Sequence, residues 1–351
     1  MGRFADFAAE GLVVLDGGLA TQLEAQGNDL AGALWSARLL RDAPDEIVAA
    51  HRAFFDAGAD VAITASYHAS YTGLAAAGAS AAEATRLIAL SVALARRAQP
   101  AGRRTLVAGS VGPYGVVWAN GSEYTGDYRA AGDAEIASEQ RRRIHALVAA
   151  GADLLAVETI PSGREAAILG GLLAELSGIE AWVTFCCRDG SRLSDGTPIV
   201  EAVRAVTGAE AVAAVGINCT PPQHVESLID RIRGATDLPI VAYPNWGAAW
   251  DAESRTWSDR GSTLAEFPPD LLDRWRSAGA SVIGGCCGIG PHAIAAIHDW
   301  REARMAGSRA AAAGRSAAAG RSAVAGRAAV EGRASTGPRA PVSRSAEWEG
   351  P

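Results

Sequence analysis

The stretch "LVVLDGGLATQLE", residues 12–24, decides between two α/β architectures. It opens as an unbroken apolar run, ends that run on an acid and two glycines, and passes into an amphipathic segment. Unbroken apolarity, rather than alternation, is the pattern of a strand buried on both faces, as in a parallel sheet. A doubly wound open sheet usually carries a GxGxxG phosphate loop after its first strand. "DGGLATQLE" is not that loop. The first unit therefore favours a barrel.

The same unit returns seven times before about Trp300, with apolar runs over 59–67, 105–115, 152–160, 181–187, 211–220, 238–245 and 280–288. Between the runs lie segments with helix signals. "PDEIVAAHRAFFDAG" starts on Pro and two acids and stops at Gly58, and "EIASEQRRRIHALVAAG" stops at Gly151. Eight strand-like runs alternating with helices predict an α/β (β/α)8 TIM barrel over residues 1–304. Residues 305–351 differ. From Gly307 onward the chain is Ala, Gly, Arg, Ser and Pro, with Arg309, Arg315, Arg321, Arg327, Arg333 and Arg339 six residues apart. Seven Arg against three Glu give this stretch +4 and leave −11 on the barrel. With almost no large apolar residue it cannot build a core, and it is expected to be a disordered tail.

In 351 residues, 49% hydrophobic and 20% charged content describe a soluble globular protein. The net charge of −7 argues against nucleic acid or an anionic membrane as partner. No apolar run reaches the roughly 18 residues of a membrane span, and "MGRFADFAAE" has no signal-peptide features, so cytoplasmic residence is expected. There is no Lys, which excludes lysine Schiff-base chemistry and a P-loop lysine. Five cysteines, as two vicinal pairs and a singlet, do not form a secreted disulfide pattern.

Barrel chemistry sits at the C-terminal ends of the strands. Those ends carry Asp16, Thr64 to His68, Glu158, Cys219, Asn245, and the adjacent Cys286 and Cys287. Zinc prefers tetrahedral sulfur ligation, and three protein ligands with one open position is the catalytic arrangement. Consecutive strand residues point to opposite faces, so Cys286 and Cys287 share a metal only if the backbone turns between them. Flanking glycines allow that turn. Buried free cysteine is the plain alternative, and it is the expectation for Cys186 and Cys187, which lack such glycines.

The segments "LDGGLATQLE", "ITASY", "VETIP", "VGINCTPP", "VAYPNWG" and "IGGCCG", in order over roughly residues 10–300, resemble the homocysteine S-methyltransferase family. The resemblance implies a (β/α)8 barrel with Zn2+ held by Cys219, Cys286 and Cys287, and homocysteine sulfur in the fourth position. It also implies that Asp16 and Glu158 take the α-ammonium of homocysteine. Helix capping is the other reading of Asp16. The glycines after Asp16, Gly17 and Gly18, are expected to offer backbone N–H groups to the substrate carboxylate. Asn218 and Asn245 are expected to shape the pocket, or else to be turn residues.

The chemistry of such a site is coherent in itself. A thiol of pKa about 8.5 is mostly protonated at neutral pH, the thiolate is the nucleophile, and zinc deprotonates a coordinated thiol. Three thiolates leave the centre near −1, which keeps substrate sulfur electron-rich and draws a cationic methyl donor. The stretch "GSVGPYGVVWANGSEYTGDY", 109–128, resembles the element of family members that use S-methylmethionine or S-adenosylmethionine. Tyr114, Trp118 and Tyr124 are expected to face the sulfonium by cation–π contact. His68 stands where Gln is expected and Asn120 where Asp is expected. The expected reaction is methionine formation from homocysteine and S-methylmethionine. Betaine as donor or selenocysteine as acceptor is the alternative, and a binding barrel with structural zinc is the non-enzymatic one.

Overall fold

In the computed structural model, the structure describes residues 3–30, 36–118, 120–128, 131–247, 249–251, 256–258 and 267–307. The chain divides into two units, Met1–Trp300 and Arg301–Pro351. Of the second unit only 301–307 are described, as helix, and the expected disordered tail lies outside the described residues from 308 onward.

The first unit is the expected barrel. Its strands are β1 (Val13–Val14), β2 (Val61–Ile63), β3 (Leu106–Val111), β4 (Leu154–Ile160), β5 (Glu180–Phe185), β6 (Val212–Asn218), β7 (Ile240–Tyr243) and β8 (Ala280–Ile283). The ladder runs β1-β8-β7-β6-β5-β4-β3-β2, every pair parallel. An isolated parallel bridge, Leu15 to Val61, joins its two ends. A short antiparallel ribbon, Ala249–Asp251 with Thr256–Ser258, follows β7.

Burial explains the unbroken apolar runs. All residues of β3 and β4 are buried, because one face meets the barrel interior and the other meets the helices. The interior face is a separate cluster including Leu15, Leu154, Trp182, Val241 and Tyr243. Phe4, 1% exposed on the helix Arg3–Glu10, joins this cluster with its ring 5.6 Å from that of Trp182. Its backbone N–H donates to Glu180 at the start of β5 (2.8 Å), so this helix packs against the N-terminal end of the barrel.

Local chemistry sets the helix limits. Pro44–Asp56 begins on Pro with Asp45 and Glu46 in its first turn, where the dipole favours acids, and stops before Gly58 at φ 99°. Asp133–Ala149 likewise has Asp133 and Glu135 in its first turn and stops before Gly151 at φ 81°.

Candidate active site

β8 ends at Ile283, so Cys286 and Cys287 lie in a turn beyond the strand rather than within it. That turn is fixed by hydrogen bonds from Gly285 N–H to Asp16 O (3.0 Å), Cys286 N–H to Pro244 O (2.8 Å) and Trp246 N–H to Cys287 O (3.1 Å). Gly288 takes φ 80° against the Trp246 ring, a place where a Cβ would lie 2.4 Å from ring carbons. Cys219 follows β6 with φ 46°, a left-handed conformation uncommon outside glycine. Asn245 Nδ2 donates to the Cys219 carbonyl (3.3 Å), and the Cys186 thiol lies 3.5 Å from the same oxygen.

These turns bring three sulfurs together. Cys219 Sγ is 3.8 Å from Cys287 Sγ, Cys286 Sγ is 4.0 Å from Cys287 Sγ, and all three lie within 4.8 Å of one another. Tetrahedral ligation at about 2.3 Å per Zn–S bond separates neighbouring sulfurs by roughly 3.8 Å, so the set fits a thiolate-bound metal. Hydrogen bonds from Cys219 and Cys286 pull the Cys287 thiol well below its usual range. Cys219 is pushed up, chiefly by its hydrogen bonds with Cys286 and Cys287. Cys186 and Cys187 are buried, and burial pushes Cys186 up to about 12, as expected of core thiols.

The three cysteines border a cavity at the C-terminal mouth. Gly17 and Gly18 line it from the end of β1, Tyr67 and His68 from beyond β2, and Tyr124 from the loop after β3. Glu158 and Thr159 of β4 and Tyr243 of β7 complete this part of the wall. Glu158 accepts hydrogen bonds from Ser110 Oγ (2.5 Å) and Tyr243 OH (3.1 Å), yet burial still raises its pKa to about 7. Asp16 directly precedes Gly17 and is 1% exposed. Its Oδ2 accepts from Ile63 N–H (2.8 Å) and its Oδ1 is buried without a partner. Burial first, and then Glu158, raise its pKa well above the carboxylate range. Two buried carboxylates with an unused oxygen form a place that favours a cation.

Other expected residues fall into supporting positions. Asn218 Oδ1 accepts from Thr159 N–H and its Nδ2 donates to Thr159 Oγ1, both at 2.7 Å, with Cys286 Sγ 4.0 Å away. It thereby ties the ends of β4 and β6 and holds Thr159 at φ 62°, a strained conformation for a β-branched residue. Asn218 and Asn245 thus brace the segments that carry the cysteines, and neither is among the residues lining the cavity. Gly18 N–H is engaged by Ile289 O (2.9 Å), which narrows the carboxylate expectation to Gly17.

Tyr114 is a correction. It is 1% exposed, packs with Trp118 and Tyr128, donates its hydroxyl to Glu135 (2.6 Å) and its N–H to Glu165 (2.7 Å). The short 3-10 turn Tyr114–Trp118 keeps both rings in this side cluster, and of the three expected aromatics Tyr124 lines the cavity. Asn120 Oδ1 accepts from the N–H (3.1 Å) and hydroxyl (2.6 Å) of Ser122, fixing the turn before Tyr124. Ser110, Thr159 and Tyr243 also belong to this site, although the sequence patterns above do not single them out. Only Tyr243 left a signal, as an aromatic with a polar tip inside an apolar run.

The fold and site define a (β/α)8-barrel enzyme with three cysteines grouped at its mouth where they could hold a metal ion. The family model described as homocysteine S-methyltransferase matches residues 13–301. The chain belongs to the homocysteine S-methyltransferase family. It is 44% identical over 293 residues to the homocysteine S-methyltransferase of Escherichia coli (strain K12), covering 82% of this chain and 94% of that one. It is 43% identical over 299 residues to homocysteine S-methyltransferase YbgG of Bacillus subtilis (strain 168), with the same coverage of 82% and 94%. Among solved structures it resembles the metallated form of the homocysteine methyltransferase MmuM from Escherichia coli, with a TM-score of 0.73 and 42% identity over 82% of this chain and 96% of that one. Among the described residues no helix is long and apolar enough to cross a membrane.

Proposed function

We propose that this protein catalyses zinc-dependent methyl transfer from S-methylmethionine, or S-adenosylmethionine, to homocysteine, giving methionine. The observation that carries the reading is the convergence of Cys219, Cys286 and Cys287 within 4.8 Å on a cavity bordered by Glu158, with Asp16 just behind it. Zn2+ held by these three thiolates would supply a fourth position at which the homocysteine thiol is taken up in its nucleophilic form.

The chain's own groups bind and orient. Glu158 and the unpartnered Asp16 Oδ1 receive the α-ammonium of homocysteine, and the Gly17 N–H meets its carboxylate. Tyr67 and Tyr124 present aromatic surface to the cationic donor. The substrate sulfur attacks the donor methyl carbon in line, the C–S+ bond breaks, and its electron pair stays on the leaving sulfur as a neutral thioether. No acid or base acts at that carbon, so positioning carries the rate. The thiol proton goes to solvent before transfer.

The test supplies purified protein with homocysteine and each donor in turn, and follows methionine and bound zinc. S-methylmethionine should be the best donor, with about one zinc per chain, and chelation should remove zinc and turnover together. Cys219→Ser, Cys286→Ser and Cys287→Ser should each lose both, while Cys187→Ser keeps both. A metal-free preparation that methylates homocysteine at an unchanged rate would sink the mechanism.

A further inference from the structure

The helix Asp133–Ala149 turns three polar residues, Glu139, Gln140 and Arg143, into the protein at 4%, 0% and 1% exposure. Each reaches a segment that follows β2 or β3. Glu139 accepts from the backbone N–H groups of Tyr71 (2.6 Å) and Thr72 (3.2 Å). Gln140 donates to Gly112 O (3.0 Å) and to Glu165 (2.6 Å). Arg143 donates to Gly112 O and to Tyr67 O, both at 2.7 Å.

Arg143 is the unusual member. A buried guanidinium is costly unless paired, and pairing normally means a carboxylate. Among the described residues none of its hydrogen bonds reaches one; they go to the carbonyls of Gly112, Tyr67 and, at 3.4 Å, Ser66, and to the Gln140 side chain. Gly112 directly follows β3 and opens the segment that brings Tyr124 to the cavity, while Tyr67 and the adjacent His68 line that cavity themselves. The two segments touch. A Cβ on Gly112 would sit 2.8 Å from Tyr67 O and 2.9 Å from its ring. Two carbonyls pointed at one spot repel unless a cation lies between them, and Arg143 fills that spot.

We infer that Arg143 is a positioning residue for the methyl donor: by clamping the carbonyls of Tyr67 and Gly112 it sets the placement of Tyr67, His68 and Tyr124, and with it the donor's KM. The inference rests on the proposed methyl transfer and goes beyond it by assigning donor placement to a residue outside the cavity wall. The groups assigned to homocysteine and metal belong to the ends of β1, β4, β6 and β8, which Arg143 does not hydrogen-bond. The same cation has a second effect. Burial, reinforced by Arg143, lowers His68 to about 3, so His68 stays neutral and does not repel a cationic donor.

Arg143→Lys keeps the charge but replaces the two-pronged fork with a single ammonium. Steady-state kinetics with S-methylmethionine should show the donor KM raised about tenfold or more, with the homocysteine KM within about twofold and zinc content unchanged. Gln140→Met, which removes the other donor to Gly112 O, should move the donor KM the same way by a smaller factor, and it decides the matter if Arg143→Lys does not fold. Parallel rises in both KM values, or a fall in Tm with neither KM changed, would overturn the inference. A wild-type protein that makes no methionine from either sulfonium overturns the underlying function instead, and this inference with it.

Discussion

Asp16 and Glu158 are carboxylates in surroundings that oppose their charge, and each departs upward from the ordinary carboxylate range because of burial. Glu158 offsets part of that cost through Ser110 and Tyr243, whereas Asp16 leaves one oxygen unsatisfied. An ammonium placed between them would satisfy both. Glu158→Gln and Asp16→Asn should therefore leave zinc bound while raising the homocysteine requirement roughly ten- to hundredfold, the size of a lost charge-assisted hydrogen bond. Titration with homocysteine alongside zinc analysis checks this, and unchanged affinity in both variants returns the two acids to the fold. These acids and the three cysteines were legible in the sequence because they are residue types that are expensive or reactive at the end of an apolar strand. Ser110, Thr159 and Arg143 were not, since each is ordinary by type. Their roles come from partners 48, 59 and 76 positions away in the chain.

At the level of elements, all eight expected strands are present, but most expected runs overshoot the ladder at their C-terminal ends. The run over 280–288 contains a strand of only Ala280–Ile283, and that over 59–67 contains Val61–Ile63. The reason is physical: residues beyond the last ladder bond turn over the barrel mouth and remain buried there, so apolarity does not mark where hydrogen bonding stops. The loop 109–128 was legible as an aromatic element but not ring by ring, because a 3-10 turn decides which rings face the cavity. Helices show a similar limit. His51, on Pro44–Asp56, is fully buried with neither ring nitrogen partnered, and burial lowers its pKa to about 4. A histidine depressed from 6.5 is neutral in the fold, so its contribution is intact above pH 6.5 and is lost as pH falls through about 4. That loss amounts to roughly 3 kcal/mol. His51→Leu should raise Tm at pH 8 and raise it further at pH 5.5, read by thermal denaturation at both values. An equal shift at the two values would show that His51 does not titrate with folding.

For the whole molecule, the parallel ladder runs unbroken from β2 through β3 to β8 and β1, and the join between β1 and β2 is the thin one. It consists of the Leu15–Val61 bridge, Asp16 N–H to Val61 O (3.1 Å), Asp60 N–H to Val14 O (2.7 Å), and two bonds in which carboxylates replace backbone carbonyls. Those are Val14 N–H to Asp60 Oδ2 (2.9 Å) and Ile63 N–H to Asp16 Oδ2 (2.8 Å). Part of the closure is thus made by a side chain assigned to grip substrate, so breathing of the barrel and occupancy of its mouth are one equilibrium. Whatever anchors Asp16 slows opening of the seam, and opening of the seam releases whatever Asp16 holds. Amide-hydrogen exchange makes the linkage visible. The Ile63 amide should exchange several-fold more slowly with saturating homocysteine, and Asp16→Asn should remove that protection, while amides inside β4 and β5 keep their rates. If homocysteine slows β4 and Ile63 alike, the barrel stiffens as one body and the seam has no separate life. If Ile63 alone responds, the enzyme carries a latch that its substrate closes.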